Sequence, residues 1–154
     1  MTLYLLALLI GIVAGLRTMT APAAVSWAAY SGWLNLDKTA LAFLSYAWTP
    51  WILTLLALVE LVADQLPTTP SRKVPMQFGA RIVTGALSGA AIAGASGSLL
   101  GGAIAGAVGA VIGTLGGAAG RTQLAATFGH DRPAALIEDA IAIVAAWLIV
   151  MLAR

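Results

Sequence analysis

The sequence has little of what soluble enzymes and metalloproteins use. Its 154 residues include no cysteine and one histidine, His130, and only 9% are charged. Without cysteine there are no disulfides, thiolate metal sites or cysteine nucleophiles. A lone histidine is a poor metal site, so we expect no metal and no cofactor. A net charge of +2 without a basic patch indicates no nucleic-acid partner.

Apolar residues take the place of the missing charges. They make up 60% of the chain, and the mean hydropathy is +0.95. A soluble domain carries about a quarter charged residues to cover its surface. Lipid is the solvent that fits this composition, because helices satisfy their own backbone hydrogen bonds there. The sequence therefore predicts an all-α fold, a polytopic helical bundle in the membrane.

The first half of the chain contains two long apolar stretches. Residues 3–33 are too many for one simple span, and Pro22 predicts a break or kink near residues 19–21. Residues 39–66 form the second stretch, with Pro50 inside it. Whether each stretch is a broken span or a hairpin stays open.

The second half begins after a proline-rich loop at residues 67–77. Residues 78–120 are apolar and glycine-rich over far more than one span, so we expect two helices that turn near residues 95–99. A polar link is expected at residues 122–133, followed by a last helix at 134–152. The whole chain then has four to six membrane-embedded helices.

We expect one transmembrane domain, residues 1–154, with halves of approximately 1–66 and 78–154. Arg72 and Lys73 place the loop between the halves in the cytoplasm, because cytoplasmic loops carry an excess of basic residues. In one alternative the two halves are an internal repeat, because Gly15-Leu16-Arg17-Thr18 resembles Ala119-Gly120-Arg121-Thr122. Duplicated halves with broken helices are common in transporters, which bind substrate at the interface between the halves.

A ladder of small residues runs through the second half. From Arg81 to Arg121 every fourth residue between the two arginines is glycine or alanine. Such a ridge lets membrane helices approach closely, but it drifts by about 40° per step, so it must form two ridges, one on each helix. It predicts bundle packing or an oligomer contact, and lining of a permeation path is the alternative. The predicted packing residues are Gly85, Gly89, Gly101, Gly109, Gly113 and Gly117.

Seven ionisable residues lie in or at the ends of apolar stretches, where a charge is costly unless it is paired. We expect them to form a charge network that serves as a substrate or ion pathway, or that only fixes helix register. In a further alternative, those near helix ends extend to water. Glu60 has apolar residues on both sides, and we expect it to pair with Arg17 from the same half. The seven residues are Arg17, Glu60, Asp64, Arg81, Arg121, Glu138 and Asp139.

Several of these motifs resemble a known family. The segments are Gly15-Leu16-Arg17, Ala63-Asp64-Gln65-Leu66-Pro67, Arg81 before a Gly/Ala helix, Ala119-Gly120-Arg121, and Pro133 followed by Leu136-Ile137-Glu138-Asp139. They are similar to a family of small bacterial glycine-rich integral membrane proteins, a domain of unknown function. The sequence differs from the family pattern at Gln65 and at residues 130–132. The resemblance implies a helical membrane fold in the bacterial inner membrane and brings no activity with it.

Three functions remain open. A transporter or channel for an ion or small solute explains the intramembrane arginines and carboxylates together with the broken helices. A structural or assembly protein, with the bilayer and a homo-oligomer as its partners, explains the glycine ladder without transport. A membrane enzyme acting on lipid would need Glu138, Asp139 and Arg121 to hold a metal or phosphate, and the sequence has no catalytic motif.

Overall fold

The structure is a computed structural model that describes residues 2–64, 74–129 and 131–154. Within these residues the protein is all helical and contains no strand, which confirms the predicted fold class. A short 3-10 helix, Ala42–Ser45, precedes the third α-helix. The six α-helices are α1 (Thr2–Leu16), α2 (Thr20–Tyr30), α3 (Thr49–Ala63), α4 (Pro75–Gly94), α5 (Leu99–Phe128) and α6 (Asp131–Leu152).

The first apolar stretch is broken at residues 17–19, slightly before the expected position. Pro22 lies in the first turn of α2, where a helix needs no backbone donor, so the proline does not itself make the break. Beyond α2, the Leu36 side chain lies near Gly94, at the opposite end of α4 from Arg81. The chain therefore reverses at the break, and α1 and α2 form a helical hairpin.

The second apolar stretch is not one helix with a proline inside it. The helix α3 begins at Thr49, and Pro50 occupies its first turn, where proline is favoured. The preceding residues form turns, in which Thr39 Oγ1 donates to the Leu36 carbonyl and Thr49 Oγ1 to the Phe43 carbonyl. The proline therefore starts the helix instead of kinking it.

The turn expected near residues 95–99 is present at residues 95–98. The polar link expected at 122–133 is wrong, because α5 continues through this segment to Phe128. Thr122 and Thr127 satisfy their hydroxyls on carbonyls one turn back, so they do not interrupt the helix. Gly129, with φ of 70°, ends α5 in the left-handed conformation that glycine adopts readily.

Three helices, α1, α4 and α5, pack most closely and form what we call the three-helix core. Gly11 of α1 contacts Gly106, and Gly15 contacts Ala110, so α1 and α5 run parallel. Gly85 lies near Ala110, whereas Gly89 lies near Gly102, so α4 and α5 run antiparallel. The helices α2 and α6 pack against this core, and α3 packs against α2 on its outside.

Two helical segments are long and apolar enough to cross a membrane, namely Leu99–Thr127 and Pro133–Leu152. Thr2–Leu16 and Thr49–Ala63 are shorter apolar helices. Large apolar side chains cover the outer surface, among them Leu55 and Val62 of α3, Leu100 of α5 and Leu148 of α6. The loop predicted to be cytoplasmic falls mostly outside the described residues, as does His130.

Candidate functional site: a charge cluster at a helix break

The seven ionisable residues selected from the sequence come together around the break between α1 and α2. Arg17 lies in the break itself. Asp64 and Glu60 come from the end of α3, Arg81 from the first turns of α4, Arg121 from the second half of α5, and Glu138 and Asp139 from the start of α6. We call this set the charge cluster.

Arg81 binds the carboxyl end of α1. Its side chain is 1% exposed, and Nη1 donates to the carbonyls of Gly15 at 2.9 Å and Leu16 at 2.8 Å. The last carbonyls of a helix have no partner within the helix and carry its partial negative charge. The Arg81 guanidinium therefore gives two of these carbonyls a hydrogen-bond donor and places a positive charge at the negative end of the α1 dipole.

Glu60 binds the amino end of α2. Its two carboxylate oxygens accept the backbone N–H groups of Thr18 at 2.7 Å and Met19 at 2.8 Å. A carboxylate is stabilised at a helix amino terminus by the unpaired N–H groups and the helix dipole. Nη2 of Arg81 lies 3.8 Å from Oε1 of Glu60, so an ion pair joins the groups that terminate the two helices.

Arg17 joins α3 to α6. Its side chain is fully buried, and its guanidinium forms ion pairs with Asp64 through Nη1 and with Asp139 through Nη2. Oε2 of Glu138 is 4.0 Å from Nη2. The Nε atom of Arg17 is buried and has no hydrogen-bond acceptor among the described residues. One guanidinium is thus shared by carboxylates from two helices.

Arg121 completes the cluster from α5. Its Nη1 lies 3.7 Å from Oε2 of Glu138, and Nη2 donates to the backbone carbonyl of Asp64 at 3.5 Å. Three arginines and four carboxylates give these seven residues one net negative charge when all are ionised. A buried site with an excess of carboxylate favours the uptake of a proton or a cation. In the described part of the chain, no three His, Asp or Glu side chains are arranged to hold a metal ion.

Glu60 pairs with an arginine, as expected, but the expected partner, Arg17, is wrong. The sequence suggested Arg17 as its partner, but Glu60 lies beside Arg81 and the backbone of residues 18–19, whereas Arg17 pairs with Asp64 and Asp139. The prediction chose the arginine in the same half of the chain, but Arg81 reaches the break from the other half. The backbone N–H groups that Glu60 binds carry no sequence signal.

The predicted packing glycines lie at different contacts. Gly85 and Gly89 face α5, whereas Gly109 and Gly113 face the backbone of α1 at Leu8 and Ile12. Gly101 lies instead against the Tyr4 ring, and Gly117 lines a small cavity beside Arg121. The every-fourth-residue series missed Gly102 and Gly106, which form the face of α5 towards α4.

The fold and the site define a helical protein whose buried charge cluster surrounds a break in an apolar hairpin. The chain belongs to the family described as domain of unknown function (DUF4126), which matches residues 4–153. No curated protein and no solved structure matches the chain.

Proposed function

We propose that the chain is a multi-pass protein of the bacterial inner membrane. Two helical segments of sufficient length and a surface rich in large apolar side chains support this placement. From Arg81 to Gly94 the helix α4 rises about 20 Å, compared with a hydrocarbon core of about 30 Å. With the Gly94 end of α4 at one face of the hydrocarbon core, Arg81 does not reach the other face, so the charge cluster lies inside the membrane. The positive-inside rule favours a cytoplasmic position for the 67–77 loop, which carries Arg72 and Lys73.

Within that membrane we propose that the protein transports a proton or a small cation. The observation that carries this proposal is the hairpin α1–α2, whose turn lies in the charge cluster with both helix ends bound by charged side chains. Irregular backbone at bilayer depth is tolerated where it is buried in protein or lines a cavity. Helix ends that meet inside the membrane beside charged groups are typical of ion and substrate sites in transporters.

Asp64 and Asp139 are the carboxylates we assign to the moving ion. They share the guanidinium of Arg17, so neutralising one of them leaves Arg17 paired with the other. Because Asp64 ends α3 and Asp139 belongs to α6, a change of pairing alters the connection between these two helices. Uptake of one proton or monovalent cation also removes the net charge of the cluster, which lowers its cost at low dielectric.

The second candidate is a structural or assembly protein. It is favoured by the close backbone contacts of Gly11, Gly106 and Gly109 within the three-helix core. In this alternative the charge cluster only fixes the positions of the helices, and a homo-oligomer is the assembled form. Flux and stability measured on the same variants separate the two functions.

The experiment compares Asp64→Asn and Asp139→Asn with the exposed control Asp37→Asn in liposomes. Transport predicts that wild type and Asp37→Asn dissipate an imposed proton, sodium or potassium gradient. The two cluster variants should remain folded, because asparagine mimics the neutral acid and the other carboxylate still pairs with Arg17. They should lose most of the flux.

A wild-type protein that inserts into liposomes but passes none of the three ions would overturn the transport proposal. Reduced thermal stability of the two cluster variants in that case would favour the structural function. Equal flux in all four proteins would show that the charge cluster is not the pathway.

A further inference from the structure

A cleft of about 440 Å³ lies between α2, α3 and α6, and none of its lining residues belongs to the charge cluster. Its walls are mostly apolar and include Trp27 of α2, Ala57 and Leu58 of α3, and Ala146 and Trp147 of α6. The volume falls within the range of about 300–1,000 Å³ typical of ligand sites. We call it the α3–α6 cleft.

The α3–α6 cleft is open on one side of the bundle. The helix α3 packs mainly against α2, so α3 and α6 stand apart as the two walls of the opening. Leu55 on α3 and Leu148 on α6 are exposed apolar residues of these same helices. In the proposed orientation the opening therefore faces the hydrocarbon of the bilayer, where lipid acyl chains are available to occupy the cleft.

A cation lies at one end of the same cleft. Trp33 lines the cleft, and the guanidinium of Arg154 lies 5.3 Å from the centre of its ring. This end belongs to the residues that follow α2 and α6, on the side of the bundle opposite to the charge cluster. Tryptophan and arginine are typical of the membrane–water interface, where a guanidinium can bind a phosphate through two hydrogen bonds.

We propose that the α3–α6 cleft binds one phospholipid, with an acyl chain between Trp27 and Trp147 and the phosphate at Arg154. The length from Arg154 back to Ile143, which also lines the cleft, is about 16 Å, which is close to half of the hydrocarbon core. The cleft thus extends over about one leaflet, as a single acyl chain does. This proposal rests on the membrane placement proposed above and does not depend on transport.

The test uses the full chain purified in detergent and native mass spectrometry with phosphatidylglycerol and phosphatidylcholine as the two probes. Wild type should retain one phospholipid under washing that removes the others. Ala57→Leu on α3 and Ala24→Leu on α2 should each lose the retained lipid, because the added side chain fills the cleft from one wall. Ala80→Leu, at an exposed position on α4, is the matched control and should retain it.

Arg154→Gln tests the polar end separately. It should reduce the preference for the anionic phosphatidylglycerol over phosphatidylcholine, while a phospholipid can still occupy the apolar part. Equal retention by wild type, Ala57→Leu and Ala24→Leu would overturn the proposal, as would a wild type that retains no phospholipid. A dimer that Ala57→Leu dissociates would also overturn it, because the cleft would then hold a second copy of the chain. Failure of the wild type to insert into liposomes would instead overturn the membrane placement.

Discussion

The three-helix core and the outer helix α3 are held by different kinds of interaction. In the core, backbone meets backbone at glycines, and Gly106 contacts Gly11 of α1 as well as Gly85 and Gly89 of α4. The helix α3 has only Pro50 and Ala57 buried along its length. Polar side chains hold α3 to the rest of the molecule. Glu60 and Asp64 bind the break between α1 and α2, and Trp27 Nε1 of α2 donates to Thr54 Oγ1.

The three-helix core must therefore keep one geometry, whereas α3 can change its ion-pair partners. Dispersion contacts between backbones fall off steeply with distance, so the core tolerates little displacement. An ion pair can instead be exchanged when a carboxylate gains a proton, and Arg17 already has two carboxylate partners. If the proposed transport requires a moving element, α3 is better suited to move than α1, α4 or α5.

The largest expected effect comes from Gly106→Leu, which tests whether the core depends on backbone contact. A side chain at this position meets the backbone of α4 at Gly85 and Gly89, while Gly11 of α1 lies close to the backbone of Gly106 itself, so α5 has little room to move away from α4. We expect a loss of about 5 kcal/mol or more, enough to prevent folding. The measurement is the yield and thermal stability of the protein in detergent.

Gly116→Leu on the same helix is the control, since a Cβ atom added there meets nothing within 4 Å among the described residues. It should fold and melt like the wild type. A Gly106→Leu protein with wild-type stability would mean that the core does not depend on these contacts, and the contrast with α3 would disappear.

Arg17→Gln should have the next largest effect and tests how strongly charge holds α3. It leaves Asp64 and Asp139 without their shared cation and raises the net charge of the cluster to two negative charges. Breaking a buried pair in this way costs about 3–5 kcal/mol. Asp139→Asn should cost less, because it brings the cluster to neutrality, and thermal unfolding of both variants measures the difference.

Arg17→Lys should recover little of the loss, since one ammonium group cannot reproduce the planar fork between two carboxylates. If Asp139→Asn destabilises the protein more than Arg17→Gln, the charge balance assigned to the cluster is wrong.

The smallest of the three effects concerns the pairing of Glu60. Glu60→Gln should cost about 1–3 kcal/mol, because an amide can accept the two backbone N–H groups of residues 18–19 only through its single oxygen. In double-mutant cycles its coupling to Arg81→Gln should exceed its coupling to Arg17→Gln. The opposite order would support the pairing that sequence proximity suggested.

Much of the architecture could be predicted from the sequence because glycine, proline and apolar runs act locally. The turn at residues 95–98 follows from a change of pattern within an apolar run too long for one helix. The extension of α5 to Phe128 could not be predicted so readily. Polar residues such as Thr122 and Gln123 look like a link, but a helix accepts them when their side chains find partners one turn away or face outward.

The sequence by itself determined which residues belong to the charge cluster and which stretches are apolar. Charged residues are so costly among apolar ones that their positions alone mark them as paired. Only the tertiary structure decided that Arg81, not Arg17, stands beside Glu60, and that Gly102 and Gly106 face α4. These contacts join residues distant in the chain, and their partners depend on the reversal at residues 17–19 and on the direction in which each helix returns.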